Sequence, residues 1–342
     1  MGVEFSERVR GSLLGGALGD ALGWSVEFLH LDNIRRQYGS SGLTELADGD
    51  RDGHITDDTQ MTLFTAEGLL RGGRRRDLHA AYRRWLETQR QKRPILPDGW
   101  LAAQPFLYAS RAPGNACMSG VVLDYREAAP FGQEGPVNPQ SKGCGTVMRS
   151  APFGLVGQGP DEAFGRAALA AQLTHGHPTG YLAAGAFAAL IARVAAGMPL
   201  REAVSATLEQ LAALPLHAET VQALRRAVRV ADEGPGSPES VERVGLGWIA
   251  EECLAIAVYA ALVTANPRDA LVLSVNHSGD SDSTGAVCGN LVGAMYGVSA
   301  LPADWCALVE GRDVLLQVAD DLVAHVRGDR AVLDGRYPLP ER

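Results

Sequence analysis

The sequence predicts an all-α protein, and three observations support that fold class. Apolar residues recur at steps of three and four, as in the run that places Leu200, Val204 and Leu208 on one helical face. Alanine, the best helix former, is abundant in many of these runs. Clear strand alternation is absent: residues 271–275 are the best strand candidate, but they could equally end a helix. We therefore expect an α-helical globule with short connections.

Ten stretches show the helical period. In chain order they are residues 6–23, 56–71, 76–90, 161–174, 178–197, 200–211, 218–232, 249–264, 283–298 and 315–326. The length of 342 residues is compatible with one large core, so we expect a single domain over residues 1–342. Residues 94–142, rich in proline and glycine, are either a linker between two domains or a loop over a functional site. We favour the loop, because the acidic motifs on either side of it would then meet.

Composition narrows the functional classes. The formal charge of −9 argues against a general nucleic-acid binder, which depends on cationic contacts with phosphate. Residues 71–93 form one basic stretch, where a solvated helix face is favoured over a docking surface for an acidic partner. The five cysteines show no paired spacing, which disfavours disulfides or zinc and favours a cytoplasmic location. No signal segment is recognised, and Asn290 interrupts the most apolar window, residues 285–301, so no membrane span is expected.

Glycine recurs at every fourth position in two helical stretches near opposite ends of the chain. The two sets are Gly11, Gly15, Gly19 and Gly23, and Gly285, Gly289, Gly293 and Gly297. Because glycine inside a helix costs about 1 kcal/mol relative to alanine, four in one helix need a reason. A stripe without side chains lets another backbone approach closely. We expect the two helices to form a tightly packed centre, which would bring Asp20 and Glu27 near Asp280 if they pack against each other.

Two short acidic motifs, each at the start of a predicted helix, carry most of the functional information. They are Thr56-Asp57-Asp58 and Asp280-Ser281-Asp282-Ser283. Either motif alone is also compatible with an N-cap. Repelling carboxylates become favourable when a divalent cation neutralises them, and oxygen ligands suit Mg²⁺, Mn²⁺ or Ca²⁺. Together the motifs offer enough ligands for two adjacent ions, with Glu27 as a further carboxylate, which indicates a metal-dependent hydrolase.

Two further stretches are compatible with binding a phosphorylated ligand. Residues 141–149 form a glycine-containing turn before a helix, where backbone N–H groups would face a phosphate, although the P-loop pattern is not matched. His175 and His177 lie in the short segment 174–178. Hydrogen bonding to a ribose or phosphate and a structural role are both open for these histidines, whereas zinc lacks a third ligand.

In this order the motifs resemble the ADP-ribosylglycohydrolase family, which includes the dinitrogenase-reductase-activating glycohydrolases and the ADP-ribosylarginine hydrolases. The matching segments are residues 15–23, 56–59, 141–149, 174–180 and 279–285. The resemblance implies a compact orthogonal multi-helix bundle with a binuclear metal centre in a cleft. It implies two Mg²⁺ ions as cofactors, with Mn²⁺ as an alternative.

The resemblance also implies roles for individual residues. The implied metal ligands are Thr56, Asp57, Asp58, Asp280, Asp282 and Ser283. The implied catalytic residues are Asp58, Asp282 and Glu27. The implied substrate-binding residues are Gly143, Cys144, Gly145, Thr146 and His175. The family often has threonine where this chain has Ser283, so the rotamer of that ligand is less restricted here.

The implied activity is cleavage of the N-glycosidic bond of ADP-ribosylated arginine, with release of ADP-ribose. The partners would be an arginine-linked ADP-ribosylated protein and ADP-ribose, without nucleic acid or membrane, and the chain would act as a monomer. Two alternatives stay open. The enzyme could hydrolyse another ADP-ribose conjugate, linked through serine, a nucleic-acid end or a small molecule, or the chain could be a non-catalytic ADP-ribose-binding homologue.

Overall fold

Helices account for the regular secondary structure of this computed structural model, which describes residues 2–46, 53–95 and 97–339. The helices are α1 (Phe5–Trp24), α2 (Leu31–Tyr38), α3 (Asp57–Leu70), α4 (Arg75–Arg90), α5 (Asn115–Val122), α6 (Ala151–Leu155), α7 (Pro160–Ala171), α8 (Pro178–Ala195), α9 (Leu200–Ala212), α10 (Ala218–Asp232), α11 (Pro238–Val244), α12 (Ala250–Val263), α13 (Pro267–Val275), α14 (Ser281–Tyr296), α15 (Ala303–Leu308), α16 (Arg312–Val326) and α17 (Arg330–Leu333). Those residues contain no strand, only one isolated bridge between Gly143 and Ile249. The predicted all-α class is confirmed.

The ten predicted helical stretches all correspond to helices, and their ends agree to within three residues. Residues 271–275 end α13, so the helical alternative for that segment is correct. The pattern missed α2, α5, α6, α11, α15 and α17, each of eight residues or fewer. A helix this short spans about two turns, too few for a period of 3.6 residues to repeat visibly.

The two glycine-striped helices, α1 and α14, pack against each other at backbone distance in the centre of the molecule. A Cβ placed on Gly15 would overlap the carbonyl oxygen of Gly289, and a Cβ on Gly289 would overlap that of Gly15. At the same crossing the Asn290 side-chain amide donates a hydrogen bond to the Ser12 carbonyl oxygen at 2.7 Å. The close approach predicted from the glycine spacing is therefore present.

Helix α8 is the one helix of the described ranges that is long and apolar enough to cross a membrane. In the folded chain, however, 94% of its residues are buried. It packs against α7, α6 and α12. A core helix of a globular protein has these same properties, so α8 is explained by its packing.

The basic stretch at residues 71–93 is only partly solvated. The Arg84 and Arg71 side chains are 10% and 11% exposed, and both pair with the fully buried carboxylate of Glu67. Arg74 and Arg76, by contrast, have side chains that are 63% and 72% exposed. A solvated face therefore describes part of this stretch, whereas Arg71 and Arg84 compensate the buried charge of Glu67.

All five cysteines are free, as their spacing indicated.

Candidate metal centre

The ends of the two central helices and the start of α3 bring five carboxylates to one narrow cavity. Its carboxylate lining consists of Glu27, Asp57, Asp58, Asp280 and Asp282, called here the carboxylate cluster. Glu27 follows α1, Asp57 and Asp58 begin α3, and Asp282 lies in the first turn of α14 after its N-cap, Asp280. The cavity volume is about 60 Å³, and Ser283 also lines it. The acidic motifs, far apart in sequence, thus face the same small space.

The geometry of the cluster suits a divalent cation. One carboxylate oxygen each from Glu27, Asp280 and Asp282 lie within 4.8 Å of one another. The Asp58 Oδ2 atom is buried and has no hydrogen-bond partner among the residues that the structure describes. Because an unsatisfied buried carboxylate oxygen is costly, a positive ion is the natural partner for it. The positive dipole ends at the N-termini of α3 and α14 favour the ionised forms of the aspartates that begin these helices.

Asp20, inside α1, positions the start of α3 through hydrogen bonds. Its side chain is fully buried in α1, where it accepts hydrogen bonds from the Thr56 hydroxyl at 2.8 Å and the Thr59 N–H at 3.1 Å. The Thr56 hydroxyl in turn accepts from the Asp58 N–H at 3.3 Å and caps α3. Sequence reasoning placed Asp20 near the site but missed this support. The available signal was a lone acid inside an apolar, glycine-striped helix.

Burial and mutual repulsion make Asp57, Asp58 and Asp282 difficult to ionise without a cation. Burial, with Asp20 and Asp280 as further contributors, raises the pKa of Asp57 to about 8. Burial and the neighbouring carboxylates also raise the pKa values of Asp58 and Asp282 well above their usual range. A cation would reverse this effect by favouring the ionised forms. The donor set therefore fits the metal-dependent chemistry that the acidic motifs indicated.

Divalent metal should stabilise the protein, and by more at higher pH. In the metal-free protein, a carboxylate whose pKa is raised by folding stabilises the fold below its pKa in the unfolded chain. This stability is lost as pH rises toward the pKa in the folded state. For Asp57 the two pKa values are 3.8 and about 8. Metal binding needs the ionised forms, so the increase in melting temperature with Mg²⁺ should grow between about pH 5.5 and about pH 8. At a free metal concentration about one hundred times the dissociation constant, one site adds about 2.7 kcal/mol.

Thermal unfolding with Mg²⁺ or with a chelator, at matched ionic strength, measures this difference at each pH. Taking the difference cancels contributions from groups outside the centre. A metal effect that stays constant or shrinks as pH rises would contradict the carboxylate cluster as the binding site.

The turn at residues 143–146 closes one side of the cavity. The Cys144 N–H donates to the Trp248 carbonyl oxygen at 3.2 Å, and the Cys144 thiol donates to Asp280 Oδ2 at 2.8 Å. Of the predicted substrate-binding residues, Cys144 and Gly145 line the cavity. Gly143 and Thr146 do not, and the Thr146 hydroxyl instead donates to the Gly180 carbonyl oxygen at 2.9 Å.

His175 lies behind this turn and not in the cavity lining. Its side chain is 2% exposed, and its Nδ1 atom is 2.7 Å from the Thr174 hydroxyl, which also accepts from buried Arg149 at 2.6 Å. A Cβ on Gly145 would lie only 3.1 Å from His175 Cε1. Glycine at this position therefore allows the turn to pack closely against the imidazole ring. Burial lowers the pKa of His175 to about 3, which keeps the imidazole neutral.

The irregular segment at residues 94–142 contributes to the site directly. The Gly114 N–H donates to Asp57 Oδ2 at 3.2 Å, and Ala112 lines the cavity. Ala112 has a φ of 50°, the left-handed region that few non-glycine residues adopt. The segment also includes α5 and two short 3₁₀ turns, at Leu101–Ala103 and Pro105–Leu107. The expectation of a loop over the site agrees with these contacts.

A helical fold that brings carboxylates from the ends of its two central helices and from the start of α3 into one narrow cavity fits a metal-dependent hydrolase. The sequence profile described as ADP-ribosylglycohydrolase matches residues 1–331. The chain therefore belongs to the ADP-ribosylglycohydrolase family. This family is metal-dependent and acts on ADP-ribosylated substrates.

Relatives of known name span nearly the whole chain. The ADP-ribosyl-[dinitrogen reductase] glycohydrolase of Rhodospirillum rubrum is 27% identical over 320 residues, which cover 90% of this chain and 92% of that protein. ADP-ribosylarginine hydrolase Tri1 of Pseudomonas putida is 26% identical, with 92% and 78% covered. A solved structure named as an ADP-ribosylglycohydrolase-related protein complex matches with a TM-score of 0.65 and 28% identity, covering 94% of this chain and 99% of that one. These matches agree with the all-α fold.

Proposed function

We propose that this protein is a metal-dependent ADP-ribosylhydrolase that cleaves the N-glycosidic bond of ADP-ribosylated arginine and releases ADP-ribose. The observation that carries the proposal is the convergence of five carboxylates, four of them buried, on one cavity beside the glycine-containing turn at residues 143–146. Two of the relatives are named for ADP-ribosyl dinitrogen reductase and ADP-ribosylarginine as substrates. The second of these names supports arginine as the linkage for this chain.

The proposed ligands for two Mg²⁺ or Mn²⁺ ions come from both acidic motifs. They are Thr56, Asp57, Asp58, Asp280, Asp282 and Ser283, with Glu27 beside them. Divalent cations held there supply Lewis acidity to oxygen atoms of the substrate and lower the pKa of water.

The reaction breaks the bond between the anomeric carbon of the ribose and a guanidinium nitrogen, and it forms a bond from that carbon to a water oxygen. Glycosidic cleavage passes through an oxocarbenium-like state, which nearby carboxylates stabilise electrostatically. Asp58 or Asp282 would accept the proton that the water loses, because both carboxylates line the cavity. The departing nitrogen keeps the bonding electrons, which leaves a neutral guanidine. This guanidine takes up one proton, balancing the proton that the water loses, and the product is the arginine guanidinium.

The turn at residues 143–146 is proposed to hold the diphosphate of ADP-ribose. Cys144 and Gly145 face the cavity, and the absence of a Cβ on glycine leaves room for a phosphate to approach the backbone. His175, Gly143 and Thr146 then act as support, since they lie behind or beside that surface. Helix α8 carries the carbonyl group of Gly180 that fixes Thr146.

The test is incubation of the protein with Mg²⁺ or Mn²⁺ and a panel of ADP-ribosylated substrates, linked through arginine, serine, a nucleic-acid end or a small molecule. We expect ADP-ribose to be released from the arginine conjugate and the activity to disappear with a chelator. Release only from another conjugate would move the assignment to that linkage. Binding of ADP-ribose without release from any conjugate would identify a non-catalytic homologue.

A further inference from the structure

Two large aromatic side chains are exposed next to each other at the rim of the carboxylate cluster. Phe28 is 64% exposed and Trp248 is 41% exposed. Their rings are stacked, with centroids 5.5 Å apart and an interplanar angle of 22°. Phe28 also has a φ of 64°, a conformation that a bulky residue rarely adopts. An exposed, strained aromatic residue has no role in the core, so its position calls for a ligand.

The aromatic pair, Phe28 and Trp248, is tied to the reacting end of the site. Phe28 directly follows Glu27, one of the three cluster residues whose oxygens lie within 4.8 Å of one another. The Trp248 carbonyl oxygen accepts the Cys144 N–H at 3.2 Å, and the Cys144 thiol contacts Asp280. The chain therefore places both aromatic residues beside residues that line the cavity, Phe28 after α1 and Trp248 before α12.

The position of the pair determines which part of the substrate it can contact. If the anomeric carbon lies at the carboxylate cluster, the group bonded to that carbon lies next to the cluster as well. The adenine base, by contrast, is separated from that carbon by a ribose, the diphosphate and a second ribose. A surface one residue from Glu27 therefore faces the leaving group.

The chemistry of the pair favours a guanidinium. Planar guanidinium groups stack on aromatic faces, and the attraction to the ring grows when water is excluded. The chain as a whole has a formal charge of −9, which favours a cationic side chain over a neutral one. A short neutral leaving group such as a serine side chain would neither reach across the rings nor gain from their quadrupole.

We propose that Phe28 and Trp248 form the specificity-determining contact for the arginine side chain of the substrate, which stacks on the open face of the pair. This proposal rests on the proposed function and adds to it the recognition of the leaving group.

The test compares wild type with Phe28→Leu, Phe28→Tyr and Trp248→Leu, using an arginine-linked ADP-ribosyl peptide as substrate and ADP-ribose as product inhibitor. Because ADP-ribose lacks the leaving group, it reports on the remainder of the site. We expect Phe28→Leu and Trp248→Leu to raise KM about fivefold while the inhibition constant of ADP-ribose is unchanged. Phe28→Tyr keeps a ring and should retain the wild-type KM. Leu216→Ala is the matched control, since Leu216 is also exposed, at 57%, with a φ of 57°.

An unchanged KM in Phe28→Leu and Trp248→Leu would overturn the proposal. So would an equal loss of affinity for the peptide and for ADP-ribose, which indicates a general disturbance or an adenine-binding role. If wild type does not cleave the arginine peptide, the proposed function fails first. The dissociation constant of the intact peptide then replaces KM in the same comparison, and equal binding by wild type and Phe28→Leu overturns the contact separately.

Discussion

We expect Asp58→Asn to reduce release of ADP-ribose by more than about a hundredfold while the helical circular-dichroism spectrum persists. The side chain lies 3% exposed at the start of α3, and its Oδ2 atom has no hydrogen-bond partner in the described parts of the chain. The amide has nearly the same shape as the carboxylate but cannot supply its negative charge or accept a proton from water. Asp282→Asn should behave in the same way, for the same reason.

Stability distinguishes loss of function from loss of fold in these two variants. Each substitution removes one of several buried, mutually repelling carboxylates. We therefore expect the metal-free variants to melt at no lower temperature than wild type, and to lose most of the additional stability that Mg²⁺ confers. Asp313→Asn makes the same chemical change on a side chain that is 93% exposed, and it should leave both activity and metal response unaltered. Full activity in Asp58→Asn or Asp282→Asn would refute the role given to that residue.

The second large effect concerns the crossing of α1 and α14. We expect Gly289→Ala to destabilise the protein by about 3 kcal/mol, because even one methyl group must displace a neighbouring backbone. A Cβ on Gly289 would overlap the Gly15 carbonyl oxygen and lie 2.5 Å from its carbon, and neither atom belongs to a side chain that can rotate away. Chemical denaturation followed by circular dichroism measures the change in the free energy of unfolding.

The control for Gly289→Ala is Gly165→Ala, in the interior of α7. A Cβ on Gly165 would meet no atom within 4 Å. Alanine should therefore stabilise this helix by about 0.5–1 kcal/mol through its better helix propensity. We therefore expect the same substitution to lower the free energy of unfolding at Gly289 and to raise it at Gly165. A neutral Gly289→Ala would mean that the crossing relaxes easily and that the glycine stripe is not required.

Periodicity predicts a helix only when the helix is long enough to repeat its pattern. The stretches around α8, α10 and α16 contain three or more turns, and the apolar pattern located each of them. Helices such as α6, with five residues, are set by their neighbours and leave no periodic trace. The glycine spacing predicted a contact between two helices, because it requires a backbone partner and the chain offers two matching stripes.

Within the site, the charged residues could be predicted from the sequence, but the residues that position them could not. Aspartates side by side at a helix start are costly without a cation, so their chemistry can be inferred from their types alone. The role of Asp20 depends on the orientation of its carboxylate toward Thr56 and Thr59, which only the packing of α1 on α3 determines. The aromatic pair left no signal either, since Phe28 and Trp248 are separated by more than two hundred positions and meet only after folding.

The close packing of the α1 backbone against the α14 backbone has a consequence for the order of folding during synthesis. A ribosome releases the first helix early, yet the surface that receives it is translated only after residue 280. Until then the nascent polypeptide must carry an apolar segment without its final neighbour, a situation that favours chaperone engagement and late, cooperative closure. Assembly of the carboxylate cluster should consequently wait for this docking, since Glu27 follows the earlier helix and Asp280 and Asp282 begin the later one.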